Sequence, residues 1–225
     1  MIYKVIKRLF DFAMSLLALL VLSPLLIPVI IGLLLTGEHY VFYFQERIGK
    51  GGKPFKIWKF ATMLKNSPNI GTGTITTRND PRVLPMGGFL RKTKINEIPQ
   101  LINILIGNMS IIGPRPLVKK GYELYSEDVK ACISKMTPGL SGIGSVIFRD
   151  EEFYVSQAKD PVEFSKQYIQ PHKGELEKWY FNNRSLYVDF MIIFLTVWVI
   201  IFPKSDLVYK VFPSLPRLDE SIFKL

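Results

Sequence analysis

The sequence predicts a mainly helical α+β fold with a membrane-embedded N-terminus and a small β-hairpin. Three observations carry that expectation. No charged residue occurs between Phe12 and Gly37, and Leu16–Leu35 is almost wholly aliphatic. Two stretches rich in aromatic and β-forming residues, Val41–Gly49 and Lys53–Met63, flank a Gly49-Lys50-Gly51-Gly52 turn. Beyond them, Asn96–Ile106, Glu163–Asn182 and Leu186–Phe202 read as helices.

The N-terminal run holds roughly 20 apolar residues, enough to cross a bilayer. It is too long for a signal-peptide core, and no small-x-small cleavage site follows at Thr36–Tyr40, so a retained segment is expected. Lys4, Lys7 and Arg8 precede it, while Arg47, Lys50, Lys53, Lys56 and Lys59 follow. The positive-inside rule keeps both flanks in the cytoplasm, which one straight span cannot satisfy. Ser23-Pro24 sits near the middle and Pro28 follows one turn later. Proline removes a backbone donor and clashes with the preceding turn, so a kink is expected there. From these residues alone, a re-entrant hairpin and a proline-kinked transmembrane helix both stand.

After the expected hairpin, Asn66–Pro81 reads as a loop. Asn96 is placed to cap the next helix, with Pro99 in its first turn and Gly107 at its end. Gly113-Pro114-Arg115-Pro116 is a turn, and Thr137-Pro138-Gly139 through Gly144 reads as a second loop. Pro171 and Gly174 interrupt Glu163–Asn182. Leu186–Phe202 is short for a span and suits a helix at the membrane interface or in the core.

At 225 residues the chain fits one core. The single Cys132 excludes an intrachain disulfide, and with only His39 and His172 a structural zinc site is not expected. The net charge of +10 points to nucleic acid, anionic lipid or phosphorylated substrates. The apolar run favours the last two, so no nucleic-acid partner is expected.

Cations recur in short polar contexts: Lys59, Arg91, Lys92, Lys94, Arg115 and Arg149. Arg115 sits in a rigid Gly-Pro-Arg-Pro turn, as bidentate phosphate recognition requires. Asn96–Pro99 lies at a predicted helix N-terminus, where free N–H groups favour phosphate. Glu97 there is either an ion-pair partner or, beside a diphosphate, a Mg²⁺ ligand. Asp150-Glu151-Glu152 after Arg149 reads first as a solvated acidic run. No Walker or Rossmann glycine pattern occurs. Composition and spacing thus describe a membrane-attached, basic, phosphate-handling protein without naming a reaction.

Several ordered motifs together resemble the bacterial sugar transferases, or monotopic phosphoglycosyl transferases. They are Leu22-Ser23-Pro24, Phe55-Lys56-Ile57-Trp58-Lys59-Phe60 with Thr62-Met63, and Leu90-Arg91-Lys92-Thr93. Asn96-Glu97-Ile98-Pro99-Gln100-Leu101, Met109 through Pro116, and Pro138-Gly139-Leu140-Ser141-Gly142 complete the set. The resemblance implies a monotopic protein with an N-terminal re-entrant helix broken at Ser23-Pro24. It divides the chain into a membrane hairpin (1–37), a cytoplasmic catalytic domain (38–185), and an apolar helix with C-terminal tail (186–225).

The implied reaction moves a sugar 1-phosphate from a UDP-sugar to undecaprenyl phosphate at the cytoplasmic face of the bacterial inner membrane, releasing UMP. The product would feed capsule, O-antigen, exopolysaccharide or glycoprotein glycan assembly by downstream glycosyltransferases. The resemblance also implies Mg²⁺ on Glu97, with Arg91, Arg115 and Arg149 on phosphates and Lys59 near the lipid phosphate. The family passes through a phosphosugar–aspartate intermediate on an Asp-Glu pair, where this chain has Asn96-Glu97. Asn108 and Ala61 depart nearby. Four readings of Asn96 follow: Asp150 as substitute nucleophile, direct attack by the lipid phosphate, an inactive ligand-binding or scaffold relative, or a deliberate replacement of the aspartate.

Overall fold

The computed structural model describes residues 2–71, 79–203, 205–219 and 222–223. The centre of the expected Asn66–Pro81 loop, residues 72–78, lies outside them. In chain order come α1 (Ile2–Leu35), β1 (Phe42–Ile48), β2 (Pro54–Phe60), α2 (Gly87–Lys92), α3 (Gln100–Ile106) and β3 (Ser110–Ile112). Next are α4 (Lys119–Glu123), α5 (Glu127–Ile133), β4 (Gly139–Ser141), α6 (Ile143–Ile147) and α7 (Glu151–Gln157). α8 (Pro161–Phe164), α9 (Gln170–Asn183), α10 (Leu186–Ile201) and α11 (Leu207–Val211) complete the fold.

α1 remains helical through Pro24 and Pro28, so the expected break at Ser23-Pro24 is not an interruption of the helix. The reason lies in the residue before the proline. Pro24 has no N–H for the carbonyl of Leu20, and the Ser23 hydroxyl donates to that carbonyl at 2.8 Å instead. One stripe of α1 faces the rest of the protein. Asp11 and Ser15 are buried, and Asp11 accepts from the Ile111 N–H at 3.0 Å. Ala18, Leu19 and Leu22 then pack on Ile57, Leu101, Ile104 and Met109. Val29 and Leu33 join Phe60 and Leu90. Arg8 donates to the Ile104 and Leu105 carbonyls at 2.6 Å, capping the last turn of α3. The opposite face, including Leu9, Leu17, Leu20, Val21 and Ile31, is exposed and apolar.

β1 and β2 form the expected antiparallel hairpin, with Phe42 opposite Phe60 and Ile48 opposite Pro54. Phe42, Phe44, Trp58 and Phe60 stack across it. Asn103 on α3 locks the hairpin by accepting from the Trp58 N–H and donating to the Lys56 carbonyl. The expected loop after Thr137 is instead in part a strand. β4 pairs parallel with β3, Ser110 opposite Gly139 and Ile112 opposite Ser141. Glycine makes this approach: a Cβ on Gly113 would lie 2.3 Å from the Thr137 carbonyl oxygen.

The helix runs from α8 into α9 through a π-helical turn at Ser165–Ile169, directly before Pro171, so the expected interruption there is a change of helical register; Gly174 does not interrupt α9 and lets Val129 of α5 approach closely. α5, α6, α9, α10 and α11 share the main core around Ile169, Leu176, Ile192 and Leu195. α10 buries Val188, Ile192, Leu195 and Val199 and exposes Tyr187, Phe190, Phe194, Val197 and Ile201. Its Asp189 is buried and accepts from Tyr3 and Lys7 of α1 and from Tyr180 of α9.

Candidate active site

The hairpin, the turn before α3, the loop after β3, and α7 and α9 converge on one charged cluster. Lys94 takes a left-handed conformation (φ 60°), rare for a residue with a Cβ, and turns the chain into a 3-10 turn at Ile95–Glu97. That turn sets Glu97 against β2, where its Oε1 accepts from Lys59 Nζ at 2.7 Å. Burial pushes the Glu97 carboxyl up, but Lys59, Arg115 and Lys94 outweigh it and hold it well below the usual carboxylate range. Burial pushes Lys59 down to about 8, with Arg115 and Arg47 adding to the effect and Glu97 opposing it.

Arg115 follows the Gly113-Pro114 bend and is exposed. Its backbone N–H donates to Glu177 Oε1 at 3.4 Å. Among the described residues its guanidinium holds no hydrogen bond or ion pair. Arg47 on β1 fixes the same loop by donating to the Pro116 carbonyl at 3.1 Å. Burial, then Arg115, lowers Arg47 to about 10. On the far side of Arg115, Lys173 of α9 pairs with Glu151 of α7 at 2.7 Å. Arg115 and Lys94 both act on the Glu151 carboxyl as well as on Glu97, so the two ion pairs flank one cationic centre.

Arg91 lies on α2 and donates to Glu152 Oε1 at 2.9 Å. Arg149 is exposed and has no ion pair among the described residues. Asp150 is exposed at the start of α7, and its charge is felt by Tyr154. The structure therefore brings Lys59, Glu97 and Arg115 together. Glu151 and Glu152, rather than Asp150, make the ion pairs with Lys173 and Arg91.

Asn96 does not cap α3. It sits inside the 3-10 turn, buried, and its Oδ1 has no hydrogen-bond partner among the described residues. Most of the N–H groups expected to await a phosphate there are already used. Glu97 bonds back to Lys94, Ile98 to Ile95, Leu101 to Ile98 and Ile102 to Pro99. Successive tight turns consume the donors that one long helix would have left free.

Arg47, Lys173 and Glu177 belong to the cluster and were not expected there from sequence; Lys94 was among the recurring cations, and Glu151 was read as part of a solvated acidic run. One signal was present: Lys173 and Glu177 are an i,i+4 charged pair on a face that also carries Leu176 and Tyr180. No group of three His, Cys, Asp or Glu side chains forms among the described residues. A metal ion here would therefore draw most ligands from water and substrate.

A cluster of this kind, with one unpaired guanidinium between two ion pairs, suits a phosphorylated anion. Comparison with known proteins agrees. The bacterial sugar transferase family model matches residues 2–203. The UDP-glucose:undecaprenyl-phosphate glucose-1-phosphate transferase of Escherichia coli (strain K12) is 36% identical over 198 residues, covering 87% of this chain and 40% of that protein. The exopolysaccharide production protein ExoY of Rhizobium meliloti (strain 1021) is 33% identical over 205 residues, covering 85% of this chain and 83% of ExoY. The UDP-N-acetylgalactosamine-undecaprenyl-phosphate N-acetylgalactosaminephosphotransferase of Aeromonas hydrophila is 32% identical over 202 residues, 89% of this chain and 44% of that protein. The chain thus spans less than half the length of two of these three relatives. The match runs from the apolar helix through the charged cluster to the end of α10, and on it the chain belongs to the bacterial sugar transferase family.

Proposed function

We propose that the chain is a phosphoglycosyl transferase. It transfers a sugar 1-phosphate from a UDP-sugar to undecaprenyl phosphate, releases UMP, and so begins lipid-linked glycan assembly. The observation that carries this reading is the unpaired Arg115 guanidinium between the Lys59–Glu97 and Lys173–Glu151 pairs, in a chain of this family. The relatives' names include glucose and N-acetylgalactosamine, so the sugar is a matter for a substrate panel.

Glu97 and the unpartnered Oδ1 of Asn96 are hard oxygen donors on adjacent residues. They fit Mg²⁺, which takes few protein oxygens and completes its shell with water and phosphate. When bound, the ion neutralises charge on the diphosphate. Arg115 holds the phosphoryl group that moves, Lys59 faces the lipid phosphate, and Arg91 is available once Glu152 is displaced.

A carboxamide at position 96 is not a nucleophile, so the reaction proceeds by direct displacement. An oxygen of undecaprenyl phosphate forms a bond to the phosphorus bearing the sugar. The bond from that phosphorus to the bridging oxygen breaks, and UMP leaves with that oxygen. Incubation with UDP-sugars, undecaprenyl phosphate and Mg²⁺ should release UMP with at least one sugar; none released with any common UDP-sugar would sink the reading. Under direct displacement, Asp150→Asn keeps its activity. Loss of activity in that variant, with a trapped phosphosugar on the wild type, would instead establish Asp150 as a nucleophile.

The membrane arrangement follows from α1. It is apolar enough to cross a bilayer, yet it docks on the domain from Asp11 to Leu33, about 33 Å of helix. A straight span would carry a charged domain into the hydrocarbon. With a bend at Ser23-Pro24, where Pro24 lacks the ladder N–H, docking over this length supports a re-entrant α1 whose helical turns continue through the bend and whose flanks both lie at the cytoplasmic face. The exposed apolar stripes of α1 and α10 then face the lipid.

A further inference from the structure

We propose that Glu177 of α9 is the positioning residue for Arg115, holding the Gly113–Pro116 loop by its backbone so that the guanidinium stays free for phosphate. The inference rests on the transferase reading for the identity of that phosphate. Three observations carry it. Glu177 is buried, and one carboxyl oxygen accepts from the Arg115 N–H at 3.4 Å. Its other oxygen, Oε2, is buried and has no hydrogen-bond partner among the described residues. Among the described residues Arg115 itself spends no side-chain donor, so its place is set through its main chain and through its neighbour Pro116, whose carbonyl Arg47 holds at 3.1 Å.

The surroundings explain why an acidic group stands there. Lys173 faces Glu177 from its own helix, Tyr125 from the turn between α4 and α5, and Gly144 from α6. Gly144 leaves room, since a Cβ there would come within 3.5 Å of Glu177 Oε1. Lys173 is already paired with Glu151. The Arg115 N–H is thus the one hydrogen-bond donor that Glu177 engages among the described residues. Burial pushes its carboxyl up to about 7, with the Arg115 N–H and Lys173 opposing. Near neutrality the carboxyl exchanges between an anionic acceptor and a neutral one, so the hold on the loop is pH-dependent.

The test is a double-mutant cycle on the full chain in detergent or nanodiscs, with UDP as the calorimetric probe. Glu177→Leu should weaken UDP binding about tenfold in the wild-type background and by less than about threefold when Arg115→Ala is already present. Glu177→Gln keeps an acceptor for the N–H, so it should bind UDP within about threefold of wild type and lose the part of the pH dependence centred near 7, read as the ratio of variant to wild-type affinity from pH 6 to 8, in which the titrations of UDP and of Lys59 cancel. An equal loss from Glu177→Leu in both backgrounds would show a merely structural role and overturn the proposal. So would an unchanged pH profile in Glu177→Gln. Thermal melts of each variant separate misfolding from lost positioning. A wild type that binds UDP with the expected coupling but releases no UMP sinks the transferase reading alone. One that turns over normally without the coupling sinks the Glu177 proposal alone, and no UDP binding by the wild type sinks both.

Discussion

Lys59 and Glu97 are 38 positions apart and pair at 2.7 Å in a largely buried setting. Each makes the other tolerable, because a buried charge that loses its partner is costly. Glu97→Gln should therefore lower UMP release by about 100-fold or more, measured at saturating Mg²⁺, since it removes the anion facing Lys59 and, under the function proposed above, a metal ligand. Glu177 supplies a second prediction, on stability. Its carboxyl rises from the ordinary 4.5 to about 7 in the folded chain. Between those values the folded chain keeps a proton that the unfolded chain has lost. Stability contributed by this group is therefore full below pH 4.5, falls as pH rises to about 7, and is level above. Glu177→Gln, which never ionises, should gain up to about 3 kcal/mol relative to wild type on going from pH 4.5 to 8, read from denaturation midpoints. No change across that range would rule the shift out. Arg115 was legible because glycine and prolines bound it in a turn, and Glu97 because it lies beside Pro99 at an expected helix start. Lys173 and Glu177 were not, because an i,i+4 charged pair reads equally well as a solvated helix face.

Two local devices hold the elements that carry the site. Asp189 of α10 takes three bonds, two of them from α1, so one buried carboxylate ties the N-terminal helix to α9 and α10. Asp189→Ala leaves the Tyr180 hydroxyl and Lys7 without their acceptor. It should cost about 2–4 kcal/mol by chemical denaturation and expose residues before Asp11 to protease. Protection like that of wild type would show that α1 is held by packing alone. The second device is the glycine contact between β3 and β4. Gly113→Ala sets a methyl 2.3 Å from the Thr137 carbonyl oxygen, so the strands must separate. That variant should fold, if at all, with UDP affinity reduced about tenfold or more, because Arg115 lies two residues away. The hairpin was readable from aromatic, β-forming stretches around a glycine turn, and its register came with the structure. The parallel β3–β4 pair was not: strands of three residues are too short to carry a periodicity.

At the scale of the whole molecule, the surface is divided between a charged cluster and an apolar face built from α1 and α10. Phe10 and Phe190 meet edge-on at 5.1 Å, which joins the two helices near their starts. α10 is 16 residues long, about 24 Å, and so falls short of a bilayer's hydrocarbon core. Replacing Phe194 and Val197, both exposed, by aspartate should release protein from liposomes without lowering its melting temperature, measured by flotation and calorimetry. Retention at wild-type levels would mean that α1 alone anchors the chain. Cysteines placed at residues 4 and 50 should label from the same side of a sealed vesicle, and labelling from opposite sides would exclude the re-entrant arrangement.

The sequence by itself determined the apolar N-terminus, the β-hairpin, the family and the neighbourhood of Glu97 and Arg115, because each is written in contiguous residues: an uncharged run, aromatic stretches around a glycine turn, a proline-bounded arginine. Only the tertiary structure decided that Ser23 repairs the helix at Pro24 and that Asn96 is a buried, unpartnered oxygen rather than a cap. It also decided that Arg115 stands between two ion pairs drawn from β2, α7 and α9. Those are facts about which distant groups share a low-dielectric space. Burial and pairing across tens of residues, not local propensity, set which charges are spent and which are left free to bind.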